Sequence, residues 1–149
     1  MLRQLMLVST SGNIILEETY RGKPRDFKNL KKTKIFFEET MLSWDSLQRG
    51  EEQVYVFSRF LYLILKICDD AVLVVSSHER ETEGFLREIA EILTSAVSEA
   101  CSGSINEDRI IYSLPEIRLM FGIIIDKKGY VDHVDSDRIK KILKLKNLK

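Results

Sequence analysis

Hydrophobic and polar positions at the start of the chain follow the pattern of two short β-strands joined by a tight turn. Residues 4–9 and 14–20 are rich in aliphatic and β-branched side chains, and Thr10-Ser11-Gly12-Asn13 lies between them. Glycine and asparagine readily adopt the positive φ that such turns need. The pattern therefore predicts a β-hairpin over residues 4–20.

Three further β-rich runs follow, at residues 53–58, 60–67 and 71–77. The last two are apolar almost throughout, which indicates strands covered on both faces of a sheet. The run FLYLILKIC is interrupted by Lys66 and ends before Asp69-Asp70. It falls short of the roughly 18–20 apolar residues that a membrane span requires, so we interpret it as a buried strand.

Apolar positions at three- and four-residue spacing predict helices in the remaining sequence. The first helix is expected from residue 26 to about residue 42. The clearest one covers residues 82–100, with Thr82 at its start and Ser102-Gly103 at its end. The residues that share one stripe of the first helix at this spacing are Phe27, Leu30, Lys34, Phe37 and Met41.

A third helical stretch is expected over residues 105–126, with kinks at Pro115 and Gly122. A last short helix, capped by Ser136, is expected over residues 137–145. We therefore predict an α+β fold of order β-β-α-β-β-β-α-α, with a five-stranded antiparallel sheet flanked by helices. A length of 149 residues fits a single domain over residues 1–149.

Charge and cysteine content narrow the classes of function. The chain has 23 Lys and Arg against 23 Asp and Glu, so its formal net charge is +0 and nucleic acid is not expected as a partner. Cys68 and Cys101 lie in an apolar run and at a helix end, where small buried thiols are common. Together with the absence of a secretory signal pattern, this predicts a reducing, cytoplasmic setting.

Catalytic and metal-binding patterns are weak throughout. His78 and His133 lie in polar stretches where a solvated role is expected. The acidic cluster Asp132, Asp135 and Asp137 lacks the glycine and closing glutamate of a calcium loop. The segment after Gly12 continues as a strand instead of opening a phosphate-binding helix. We therefore expect no enzyme activity, no cofactor and no metal.

Aromatic side chains are the remaining candidates for function. Neighbouring phenylalanines cannot both be buried equally by one helix or strand, and a tryptophan in a polar loop is unusual, so some apolar surface is expected to remain for a partner. An irregular core built from the same side chains is an equally good interpretation. The candidate interface residues are Phe36, Phe37, Trp44, Tyr55 and Phe57, with Tyr62 near them.

The order of these motifs resembles the small longin-like subunits of vesicle coats, above all the zeta subunit of coatomer. The resemblance rests on the opening hairpin, on the three β-rich runs, and on the acidic clusters that follow them. Near the other end, Ile123-Ile124-Ile125-Asp126, Gly129-Tyr130-Val131 and Asp135-Ser136-Asp137 occupy the places of comparable zeta motifs. Similar patterns occur in sigma subunits and mu N-terminal domains of clathrin adaptor complexes.

The resemblance implies a non-catalytic structural subunit in transport from the Golgi to the endoplasmic reticulum. Its partner would be a large coat subunit similar to coatomer gamma, with an Arf-family GTPase and the membrane contacted indirectly. Such a subunit would be cytoplasmic and peripheral on Golgi and vesicle membranes. A clathrin adaptor subunit, or the longin regulatory module of a GTPase-linked receptor, is the alternative.

Overall fold

A single antiparallel sheet forms the centre of the molecule. The computed structural model describes residues 1–20, 35–57 and 59–131. Its five strands lie side by side in the order β2-β1-β5-β4-β3, and neighbours are antiparallel. The strands are β1 (Leu2–Ser9), β2 (Ile14–Thr19), β3 (Glu52–Phe57), β4 (Phe60–Cys68) and β5 (Ala71–His78). The predicted five-stranded antiparallel sheet and the α+β class are confirmed.

Helical segments follow the hairpin and the last strand. Residues 35–41 are helical (α1), and a 3₁₀ turn follows at Trp44–Ser46. After the sheet come α2 (Glu83–Ala100), α3 (Glu107–Tyr112) and α4 (Leu114–Ile124). As expected, Thr82 caps α2, because its hydroxyl accepts a hydrogen bond from the Phe85 N–H at 3.1 Å.

Both faces of the sheet are covered, in agreement with the apolar runs at β4 and β5. Side chains alternate between the faces, so each strand contributes to two cores. Seven consecutive residues of β5 are buried. The first core includes Leu5, Leu63, Leu73, Leu86, Leu93 and Phe121 and lies on the side of α2 and α4. The second core includes Met6, Val8, Ile64, Val72, Val74 and Trp44 and lies on the side of α1.

The stretch predicted as one kinked helix over residues 105–126 is two helices. Proline has no N–H, so the carbonyl four residues before Pro115 loses its helical partner unless a new helix begins there. The structure begins α4 at Leu114, with Pro115 in its first turn. Ser113 links the two helices: its N–H donates to Arg109 O, and its carbonyl accepts from the Ile117 N–H.

Two sequence predictions extend beyond the described residues. Of the helix predicted over residues 26–42, the structure describes only the part from residue 35. The helix predicted over residues 137–145 lies outside the described residues altogether. None of the helices in the described ranges is long and apolar enough to cross a membrane.

Gly129 ties the segment after α4 to the first strand. The Leu2 N–H donates to Gly129 O at 2.8 Å. Gly129 has a φ of +87°, and a Cβ added there would clash with the Leu2 carbonyl oxygen. Gly50 has nearly the same backbone conformation, φ +88°, with nothing within 4 Å of such a Cβ.

We therefore expect Gly129→Ala to destabilise the protein much more than Gly50→Ala. The control carries only the left-handed backbone penalty of about 1–2 kcal/mol. Gly129→Ala adds the clash with Leu2, which only movement of β1 relieves. Urea unfolding of the two variants measures the difference, and equal losses would contradict the observed packing.

Candidate functional site

Five aromatic rings pack together over one end of the second core, and we call them the aromatic cluster. Phe36 is central to it: its ring stacks on Phe57 with centroids 4.6 Å apart and meets Tyr55 edge-on at 5.7 Å. Phe37 meets Tyr62 edge-on at 5.6 Å. The cluster joins α1 to β3 and β4. Its members are Phe36, Phe37, Tyr55, Phe57 and Tyr62.

Of the predicted interface residues, four are partly buried in this cluster. Phe36, Phe37, Tyr55 and Phe57 pack against the second core and retain partial exposure. Trp44 differs from them, because it is 0% exposed and contributes no surface. Trp44 is therefore part of the core, as the alternative interpretation of the aromatic residues predicted. The 3₁₀ turn places its side chain on the sheet beside Met6 and Ile64.

A buried lysine fixes the turn that holds Trp44. Lys66 is only 4% exposed, and its Nζ donates to the Trp44 carbonyl oxygen at 3.0 Å. The Trp44 indole Nε1 is buried and has no hydrogen-bond partner among the described residues. Packing on the second core and the hydrogen bond from Lys66 therefore hold this turn in place. Lys66, which interrupts the apolar run of β4 in the sequence, therefore connects this strand to the 3₁₀ turn.

A pocket of about 240 Å³ lies between α1 and the β1–β2 hairpin. Its wall is mainly apolar, and Glu17 and Glu38 supply carboxylates. The apolar residues that line it are Met6, Val8, Ile14, Phe37, Met41 and Trp44.

The second surface of interest is the outer side of β3, with which no other strand pairs in the described part of the chain. The Gly50 N–H donates to Lys66 O, and the Lys66 N–H donates to Glu51 O. Because hydrogen-bonded pairs alternate along an antiparallel ladder, Ile64 and Tyr62 also bond toward β3. The backbone groups of Glu52, Val54 and Val56 therefore point away from β4. We call this surface the β3 edge.

The β3 edge carries little that would discourage another strand from pairing with it. Its sequence EQVYVF contains neither proline nor lysine. Its single charge, on Glu52, forms an ion pair with Arg87 of α2. Val56 is 63% exposed. At the opposite edge, β2 carries two adjacent carboxylates, Glu17 and Glu18.

Of the two histidines and the acidic cluster considered from sequence, the structure describes only His78. His78 is exposed at the end of β5, and its Nδ1 accepts the Arg80 N–H at 3.2 Å. His133 and the acidic cluster at Asp132, Asp135 and Asp137 lie outside the described residues. Within the described ranges, no group of three or more His, Cys, Asp or Glu side chains is placed to hold a metal.

Both cysteines are buried and free, as expected. Two effects raise the pKa of the Cys68 thiol to about 11. Burial is the larger effect, and a hydrogen bond to Asp70 is the next largest. Burial also raises the pKa of Cys101. The Cys68 Sγ lies 3.2 Å from Asp70 Oδ1, which also accepts the N–H of Glu107 at the start of α3.

Comparisons with known proteins assign no family. No family model matches the chain. No curated protein matches it either. Among solved structures, MglC from Myxococcus xanthus is similar at a TM-score of 0.45 and 10% sequence identity, over 79% of this chain and 85% of that chain. A similarity this low identifies neither a relative nor a function.

Truncation of the central ring tests whether the aromatic cluster belongs to the core. We expect Phe36→Ala to lower the free energy of unfolding by about 2–3 kcal/mol, because it removes contacts with four other rings. Leu42 is 86% exposed and follows the same helix, so Leu42→Ala should change stability by less than about 0.5 kcal/mol. Urea unfolding measures both values, and similar losses would show that Phe36 is not packed as described.

The raised thiol pKa predicts a pH dependence of stability. Below the ordinary thiol pKa of 9.0, Cys68 is protonated in both the folded and unfolded states. Between pH 9 and about 11 the unfolded thiol loses its proton first, so the free energy of unfolding falls as pH rises through this window. In the Cys68→Ala variant, the free energy of unfolding should fall less steeply over this pH range than in the unmodified protein. Urea unfolding of both proteins under reducing conditions measures the two slopes. Equal slopes would contradict the assignment.

Proposed function

We propose that this chain is a non-catalytic, longin-like subunit of a vesicle coat that docks on a larger subunit through the β3 edge. The observation that carries the proposal is this edge: among the described residues it is unpaired, it is nearly neutral, and it has an exposed valine. A strand of this kind favours pairing with another chain, and proteins that leave one uncovered risk aggregation. A permanent partner that supplies a strand or a packed surface removes that risk.

The aromatic cluster extends the proposed docking surface. Tyr55 and Phe57 belong to β3 and lie partly exposed on one face of it, while Val54 and Val56 belong to the other face. A partner seated on the edge therefore meets apolar side chains above and below the strand. Central, partly exposed aromatic side chains are the groups that most often dominate binding energy in such interfaces.

The coat assignment itself comes from the sequence resemblance to coatomer zeta. On that basis we propose a gamma-like large coat subunit as the partner, with indirect contact to an Arf-family GTPase and to the membrane. The setting would be the cytoplasmic side of Golgi and vesicle membranes, in transport from the Golgi to the endoplasmic reticulum. The five-stranded antiparallel sheet with helices on both faces is compatible with this role.

Affinity purification from the native cytosol tests the proposal. Tagged chain should recover a large coatomer subunit at stoichiometric amounts. Recovery of clathrin-adaptor large chains would move the assignment to a sigma or mu subunit. Recovery of only a small GTPase would overturn the coat assignment in favour of a regulatory longin module.

A charge placed on the β3 edge tests the docking surface. Val56→Lys adds an ammonium to a side chain that is already largely exposed, so we expect folding to be retained and recovery of the large subunit to fall at least about tenfold. Thr19→Lys places the same charge on an exposed position of the opposite edge and should leave recovery unchanged. Circular dichroism checks that both variants are folded. Equal recovery by the two variants would exclude the β3 edge as the docking surface.

A further inference from the structure

The β3 edge is complementary to a second copy of itself. The backbone N–H and C=O groups of Glu52, Val54 and Val56 point away from β4. In a strand ladder, such groups bond with residues of the added strand that also point outward. Two copies of β3 meet this condition when they run antiparallel about a two-fold axis perpendicular to the sheet.

Two symmetric registers pair most of β3, residues 52–56 in one and residues 53–57 in the other, and exposed charges beside the strand select between them. If Val54 lies opposite Val54 of the second copy, Arg49 lies opposite Arg59 and two pairs of like charges meet. If Tyr55 lies opposite Tyr55, Glu51 lies opposite Arg59 and two pairs of opposite charges meet. Opposite charges stabilise paired strands and like charges destabilise them, so the register centred on Tyr55 is favoured.

The same register brings apolar side chains together on both faces of the sheet. On the α2 face, Val54 of each copy lies opposite Val56 of the other, and Val56 is 63% exposed in the single chain. On the other face, the two Tyr55 side chains are direct neighbours, and Phe57 lies opposite Gln53. Each copy therefore covers apolar surface of the other.

The charges of the two edge strands favour β3 over β2 for this contact. The carboxylate of Glu52, the one charged residue within β3, is already paired with Arg87 of the same copy. Self-pairing of β2 would instead gather Glu17 and Glu18 of both copies on one short strand pair. Because like charges on paired strands repel, the second copy fits the β3 edge.

We infer that two copies of the chain associate through their β3 edges, with Tyr55 at the two-fold axis, and form one continuous sheet across both copies. The inference concerns the edge proposed above for docking on a coat subunit, but it does not depend on the coat assignment. One side of a strand pairs with a single neighbour, so the dimer and the docked complex exclude each other. A single strand pairing is small beside the roughly 1,600 Å² of a standard interface, so we expect a dimer that dissociates on dilution.

Sedimentation velocity of the full chain tests for the dimer. Between about 1 µM and about 1 mM, the mean mass should rise from 17.3 kDa toward twice that value. Val56→Lys should remain monomeric over this range, because each new ammonium would face a valine of the other copy. Thr19→Lys, on the opposite edge, should associate as the unmodified protein does. A monomer over the whole range, or equal association of the two variants, would overturn the inference.

Charge reversal tests the ion pairs of this register. Glu51→Arg and Arg59→Glu each place two pairs of like charges across the axis, so each should weaken dimerisation at least about threefold. The combined variant exchanges the signs of both pairs and should recover most of the affinity. Glu39→Arg makes the same change in net charge as Glu51→Arg at an exposed position of α1 and should have less than about a twofold effect. Failure of the combined variant to recover would overturn this register.

Engineered cysteines report the register directly. The two Tyr55 residues would form a non-hydrogen-bonded pair with Cα atoms about 4.5 Å apart, which is within the range of a disulfide. The two Gln53 residues would lie four positions apart along the strands, about 13 Å, which is too far. Tyr55→Cys should therefore give a disulfide-linked dimer under mild oxidation and Gln53→Cys should not, and both native cysteines are buried. With circular dichroism showing both variants folded, absence of the Tyr55→Cys crosslink or equal crosslinking by the two would overturn the register.

The outcomes also separate this inference from the proposed function. If the chain remains monomeric while Val56→Lys still abolishes recovery of the large subunit, self-pairing is wrong and docking at β3 stands. If Val56→Lys dissociates the dimer but leaves recovery of the large subunit unchanged, self-pairing stands and the proposed coat interface is wrong.

Discussion

The structure depends on a sheet that is apolar on both faces and must therefore be covered twice. β5 is buried for seven consecutive residues, which only layers on both sides can achieve. One layer is built by α2 and α4, whose buried side chains interlock with leucines and valines of the sheet. The other contains α1, the 3₁₀ turn and the aromatic cluster. Since both faces are occupied, unpaired strand backbone in the described part of the chain lies at the edges of the sheet.

The second layer shows how a polar group is accommodated inside an apolar face. Lys66 lies at a position of β4 that faces this layer, and its ammonium reaches a main-chain carbonyl of the 3₁₀ turn. A buried charge is tolerated only when it is hydrogen-bonded, and here that requirement also fixes the turn. The position of Trp44 thus depends on a strand residue that is distant in sequence.

Regular periodicity made much of this fold predictable from the sequence. In the hairpin, the buried strands and α2, the apolar residues follow the period of a single type of secondary structure. Gly12 in the hairpin turn and Thr82 at the start of α2 also mark where these elements begin or end. The break at Ser113 was missed because Pro115 could end a helix or begin one, and only tertiary packing decides between them. Trp44 was misleading for a similar reason: its polar neighbours in sequence are not its neighbours in space. The β3 edge could not be located from sequence, since the pattern of a strand does not reveal which neighbours it pairs with.

The strand order β2-β1-β5-β4-β3 also determines how the sheet can assemble. Two units of the sheet can each form from residues that are close in sequence. One is the hairpin of β1 and β2, and the other is the meander of β3, β4 and β5. The two units meet only where β1 pairs with β5, across a long stretch of chain whose closure costs entropy. During synthesis the first hairpin leaves the ribosome well before β5. The pairing of β1 with β5 therefore has the largest loop-closure cost of the four strand pairings, and until it forms one side of β1 has no neighbouring strand.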